Sequence, residues 1–299
     1  MTKKGIIILI VFLSVVCALM TGGFIYLLAN NFEWGSFELG LDFTEPKLLD
    51  SISYENAEVE QLYIDSKALD IFVEESSDDK YSLEVYANNK KIDYSFDNTD
   101  KKVTFKAHNN KGASFVFGFN THGKIVVKIP KETNLYTFMI DAKIGDIKVK
   151  SLENLEGKIK NTVGDLDIDK VKNMNIDLGT GDININEINT TEIKHTTGDL
   201  DIDNVSSLIN NSSTGDINIG TVDCDFNITA KTGDIKINKA SLLKDSLIDL
   251  KTGDIRIKEI SGAYVEANSN VGDVKVNNND RYAENTLTIK NKTGDIRIN

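Results

Sequence analysis

Thr180-Gly181-Asp182-Ile183-Asn184-Ile185 and, one period later, Thr197-Gly198-Asp199-Leu200-Asp201-Ile202 are two copies of the unit that decides the fold. Gly-Asp followed by an aliphatic residue occurs nine times, with the glycines at Gly145, Gly164, Gly181, Gly198, Gly215, Gly233, Gly253, Gly272 and Gly294. The gaps between them are 19, 17, 17, 17, 18, 20, 19 and 22 residues. A period of this size is too short for helical-pair repeats and suits one coil of a β-solenoid.

Aligned on the glycine, the second and fourth residues after it are aliphatic in every copy, from Ile147 and Val149 through to Ile296 and Ile298. Alternation with polar residues puts both on one face of a short strand. Five residues before the glycine stand Ile140, Ile159, Ile176, Ile193, Ile228, Ile248 and Ile289, interrupted by Asn210 and Ala267. Directly before it stand Thr180, Thr197, Thr214, Thr232, Thr252 and Thr293. The inward parity flips across Gly-Asp, so the chain bends there. Glycine supplies the backbone freedom, and aspartate can accept local N–H bonds. A step of three to the next apolar position, as at Val171, Ile188 and Val205, implies a further corner.

Neither strand of such a coil can bury its face alone. Coils stacked in parallel register pile like residues on like, and nine of them would extend roughly 40 Å at about 4.8 Å per coil. Each buried Ile or Val contributes on the order of 1.5–3 kcal/mol before conformational entropy is subtracted. The fold expected is all-β: a parallel β-helix or solenoid of 17–20 residues per coil, right-handed by the usual hand of parallel crossovers.

Four regions are expected: 1–29, 30–58, 59–138 and 139–299, the last being the solenoid. In the first, the run from Gly5 to Ala29 carries no charge, and about 20 apolar residues suffice to cross a bilayer. Lys3 and Lys4 precede it and no acidic residue comes before Glu33, so the amino terminus is expected in the cytoplasm and the rest outside. The run is too long for a cleaved signal, and Val16 before Cys17 argues against lipidation. Residues 30–58 read as a membrane-proximal linker. In residues 59–138, alternating Leu69-Ile71-Val73 and Leu83-Val85 and turn signals such as Asp78-Asp79 read as an antiparallel β cap. Phe115, Phe117 and Phe119 alternate there as a core-facing row.

The net charge of −12 argues against nucleic acid and anionic headgroups as partners, leaving wall polymer, an envelope protein or a cationic ligand. With two cysteines, Cys17 and Cys224, no disulfide framework is expected. The best candidate site is the row Asp165, Asp182, Asp199, Asp216, Asp234 and Asp254, flanked by Asp146, Asp273 and Asp295. Stacked carboxylates repel, and calcium, with 6–8 oxygen ligands, can bridge them. The competing expectation is that each aspartate serves its own turn, with Lys148, Lys236, Arg256, Lys275 and Arg297 close enough to neutralise the row. No other cofactor is expected. His108, His122 and His195 are scattered, His195 falling in an inward row with Leu178 and Leu250. No nucleophile elbow, phosphate loop or histidine metal pair occurs.

Leu69-Asp70-Ile71, the run ending in Val127-Lys128-Ile129-Pro130, and the serial Thr-Gly-Asp-Ile units resemble the bacterial putative-adhesin family of β-strand repeats (domain of unknown function 4097), over residues 59–299. Its membrane-anchored, LiaG-like members are linked to cell-envelope stress. The resemblance implies an extracytoplasmic solenoid without established catalytic residues. The function expected is therefore a non-catalytic, membrane-anchored binding or scaffold module. One alternative is self-assembly through an uncapped last coil ending at Asn299. The other is a polysaccharide-acting β-helix enzyme.

Overall fold

The computed structural model describes residues 46–87, 92–108, 123–133, 135–277 and 279–299. The expected membrane segment, Cys17, His122 and the row Phe115, Phe117 and Phe119 lie outside the described residues. Among the described residues, no helix is long and apolar enough to cross a membrane.

The described chain is all-β, a solenoid with one short 3-10 turn at Asn56–Glu58. Its strands are β1 (Lys47–Glu55), β2 (Gln61–Ser66), β3 (Asp70–Glu75), β4 (Lys80–Ala87), β5 (Asp93–Thr99), β6 (Lys102–His108) and β7 (Gly123–Ile129). The repeats follow as β8 (Thr137–Ile144), β9 (Ile147–Val149), β10 (Leu152–Val163), β11 (Leu166–Thr180), β12 (Ile183–Thr197), β13 (Leu200–Thr214) and β14 (Ile217–Thr232). The last coils are β15 (Ile235–Ser241), β16 (Ser246–Thr252), β17 (Ile255–Ser261), β18 (Ala263–Ser269), β19 (Val274–Val276), β20 (Asn285–Thr293) and β21 (Ile296–Ile298).

Equivalent residues stack in parallel register. Ile176 pairs with Ile193, Ile193 with Asn210, and Asn210 with Ile228. Leu166, Ile183, Leu200, Ile217 and Ile235 form a second row. Both rows, with the corner residues Val171, Ile188, Val205 and Val222, are buried in one continuous core. Strands β11 to β13 run round that corner in one register with each other. One coil is a residue longer, and β14 absorbs the excess as a register shift that sets Asp223 and Cys224 against the single residue Ser206.

Three expectations are corrected. The stretch read as a linker contributes β1, which pairs with β4. The region read as an antiparallel cap already contains solenoid strands. The β2–β3 coil stacks in parallel on β8–β9, and β6–β7 stacks in parallel on its other side. Among the described residues, antiparallel pairing is confined to β1–β4, β4–β7 and β5–β6. Alternation reports which face is buried, not strand direction, and the β2–β3 corner carries Leu69-Asp70 instead of Gly-Asp.

The third correction concerns the carboxyl-terminal strands. They do not form the open end of the stack. β20 lies between β16 and β18, and β21 between β17 and β19. The outermost layer is the β18–β19 coil, where Val271 and Val274 are exposed. Its outer edge is partly closed by Asn279, whose amide accepts the Val265 N–H at 2.8 Å and donates to the Val265 carbonyl at 2.9 Å. The stack ends in the same manner at the other side, where β2–β3, earliest of the coils, lies beneath β6–β7.

Candidate functional site

All nine repeat glycines have φ between +131° and +143°, a region that side-chain-bearing L residues rarely adopt. They also stack on one another. A Cβ on Gly181 would lie 2.1 Å from the carbonyl oxygen of Gly164, and one on Gly198 would lie 2.0 Å from that of Gly181. Backbone conformation and the close approach of successive coils therefore each demand glycine.

The aspartates form a ladder along the same edge. Oδ1 of Asp165 accepts the backbone N–H of Asp182 at 2.9 Å, and Oδ1 of Asp182 accepts that of Asp199 at 2.9 Å. The same bond runs from Asp70 through Asp146 to Asp165, and from Asp199 through Asp216 and Asp234 to Asp254. It then passes to Asp295 and last to Asp273, following the stack rather than the sequence. The carboxylates thus join coils instead of closing their own turns. Asp70, with no glycine before it, belongs to the ladder although the repeat pattern does not reach it. Among the described residues, no group of three or more His, Cys, Asp or Glu is placed to hold a metal ion.

Behind this edge, the inward row three residues before each glycine carries several polar side chains. Asn161 and Asn291 donate to the carbonyls of Gly145 and Gly253 at 2.8 Å, and Ser269 to that of Gly294 at 2.8 Å. His195 is buried with Nε2 2.7 Å from the Gly181 carbonyl. A carbonyl only accepts, so Nε2 carries the proton and donates. His195 is therefore a structural donor within the core.

Of the cations near the edge, Arg297 pairs with its ladder neighbour Asp295 at 3.1 Å. Lys148 instead reaches Asp167 on the next coil at 3.0 Å. That bond, with the Asp167 charge, pushes the Lys148 ammonium above its ordinary value. Asp225 hydrogen-bonds the Cys224 thiol and raises its pKa, which keeps the sulfur protonated and poorly nucleophilic.

An open groove of ≈460 Å³ crosses the outward face of β5, β6, β2 and β8. Tyr63, Asp65, Thr104, Lys106 and Asp141 line it, and the Lys102 ammonium sits 4.3 Å above the Tyr63 ring. Aromatic face, carboxylates and amines together suit noncovalent contact with a polar surface. Sequence reasoning missed this groove, because it draws two or three residues from each of four strands whose neighbours are set by the stack.

The Toastrack DUF4097 family model matches residues 59–210 and 192–299. None of the curated proteins matches the chain. Among solved structures, a putative adhesin from Bacteroides fragilis NCTC 9343 is similar at 17% identity, covering 87% of this chain and 100% of that one, with a TM-score of 0.42. A putative lipid binding protein from Parabacteroides distasonis ATCC 8503 is similar at 12% identity, covering 86% and 98%, with a TM-score of 0.45. A putative cell adhesion protein from Clostridium sporogenes ATCC 15579 is similar at 10% identity, covering 85% and 99%, with a TM-score of 0.36.

Proposed function

As the chain belongs to the Toastrack DUF4097 family, we propose that it is a non-catalytic binding and scaffold module, adhesin-like, held at the outer face of a cell membrane by residues 5–29. Its amino terminus faces the cytoplasm, and its solenoid meets wall polymer or an envelope protein during envelope stress. One observation carries this reading. The Gly-Asp edge, the densest collection of candidate site residues, is engaged coil by coil in hydrogen bonds that hold the stack together. Recognition then falls to the broad outward sheet faces, where charged and aromatic side chains stand in fixed rows.

The uncharged run from Gly5 to Ala29, with Lys3 and Lys4 before it, supports the anchor and its direction. The test is crosslinking in intact cells followed by identification of attached material, with sedimentation of the full chain on purified cell walls. Attachment to wall polymer or to an envelope protein is expected. Attachment only to cytoplasmic proteins, with no retention on walls, would overturn the reading.

A further inference from the structure

The third residue after each glycine points outward. In stacking order, this row reads Lys148, Asp167, Asn184, Asp201, Asn218, Lys236, Arg256, Arg297 and Lys275. Its two halves differ. In the first, Lys148 pairs with Asp167, Asn184 donates to Asp167 at 3.1 Å, and Asn218 donates to Asp201 at 2.8 Å. In the second, four cations stand side by side on adjacent strands, with Lys258 two residues beyond Arg256 on the same face.

Like charges on facing positions of neighbouring strands destabilise a sheet. Among the described residues, Lys236, Arg256, Lys258 and Lys275 form no ion pair, and only Arg297 does. For the four stacked cations the nearest acids in sequence are the ladder residues Asp234, Asp254, Asp295 and Asp273, and Glu259 follows Lys258 directly. Asp234, Asp254 and Asp295 already accept a backbone N–H of the next coil. All five cations are exposed. Two open grooves share Arg256: one of ≈480 Å³ includes Lys275 and Arg297 with Asp273, the other, of ≈330 Å³, Lys236 and Lys258 with Asp201 and Asp203. Gly220 leaves part of the second without a side chain.

We propose that this row binds a linear polyanion bearing phosphate or phosphodiester groups, laid across the strands along the stack. Cations repeating at about the 4.8 Å strand spacing suit a ligand whose charge also repeats, since a single anion would meet only one or two of them. Two of the four are arginines, whose planar forks match phosphate oxygens, and the lysines add point charge. The protein's net charge of −12 does not oppose this, because beyond about one Debye length of 8–10 Å the acidic residues are largely screened. The inference rests on the binding-module reading above and names the ligand class for one face.

The test uses the full chain in a non-ionic detergent, with sodium polyphosphate as probe and polygalacturonate as a carboxylate control, at about 0.1 M salt. On the unaltered protein, polyphosphate should shield Lys236, Lys258 and Lys275 from acetylation and leave Lys158 and Lys160 reactive. The combined variant Lys236→Gln, Arg256→Gln, Arg297→Gln and Lys275→Gln should weaken binding by about tenfold or more, while Lys158→Gln with Lys160→Gln should not. Absence of binding, uniform shielding of all lysines, unchanged affinity of the combined variant, or equal affinity for polygalacturonate would each overturn the assignment. So would a finding that the four substitutions only dissociate a dimer, which would make a second copy the occupant. If purified walls retain the combined variant as well as the unaltered chain, the wider binding role stands and this assignment alone fails.

Discussion

Oδ1 of Asp182 accepts the backbone N–H of Asp199, 17 residues on in sequence and one coil on in space, at 2.9 Å. The bond uses the oxygen as an acceptor and does not require the negative charge. Asp182→Ala should therefore lower stability by about 1–2 kcal/mol, and Asp182→Asn, which keeps an acceptor oxygen, by less. Denaturant melts of the two variants check this. Equal losses would mean that the charge matters more than the bond.

Gly198→Ala tests the close approach of the coils. The alanine must adopt φ near +133°, and its methyl would sit 2.0 Å from the Gly181 carbonyl oxygen. A loss of about 3 kcal/mol is expected, read as a fall in the unfolding midpoint. A change under about 1 kcal/mol would show that neighbouring coils can part at this edge.

Asn210 interrupts a row of isoleucines, and its buried side chain exchanges hydrogen bonds with Ser212 at 2.8 and 3.1 Å. Ser212→Ala alone leaves Asn210 short of a partner and should cost about 1 kcal/mol or more. Asn210→Ile combined with Ser212→Ala restores the apolar row between Ile193 and Ile228, and should match or exceed the original stability. Thermal melts of the single and double variants decide it.

Burial pushes the Glu84 carboxyl upward, but hydrogen bonds from Lys128 and Tyr86, with the Lys128 charge 2.7 Å away, hold it below its ordinary value of 4.5. A carboxylate depressed in the folded state stabilises fully above its unfolded pKa and loses that contribution as pH falls through the lower folded value. Stability should thus decline on acidification from 4.5 downward. Glu84→Gln should flatten that part of the profile relative to the unaltered chain. Parallel slopes in a pH series of melts would remove the pair from the account of acid sensitivity.

Asn279 occupies both backbone groups of Val265 on the outer edge of β18. Unpaired strand edges recruit other chains. Asn279→Ala should therefore make the protein self-associate at concentrations where the unaltered chain keeps its size, measured by sedimentation or light scattering.

The repeated coil was legible because period, parity and glycine position are local signals: Ile183, Ile185 and Ile188 carry their burial in their spacing. The stacking order at the two ends was not. Nothing within Thr286-Leu287-Thr288-Ile289 distinguishes a last layer from an inserted one, since either places Leu287 and Ile289 inside. The role of Asp182 was half legible. Its place on an edge follows from the repeat, but whether its carboxylate serves its own turn, a cation or the next coil depends on how closely the coils approach. The basic residues Lys236, Arg256, Lys275 and Arg297 are legible at one position of four successive repeats, but that Arg256 and Arg297 are direct neighbours follows only from the insertion.

The position of β20 and β21 has a consequence for biosynthesis. Whether the chain folds as it is made or as it is threaded across a membrane, residues 263–276 emerge before 285–298, which fill the place beside β16 and β17. The earlier residues reach their final place only after the following twenty or so residues have emerged. Either the nascent segment waits unattached, or it docks early and must be displaced by the strands that follow. The final layer is thus completed only after later residues have passed it, and slow maturation should be concentrated there.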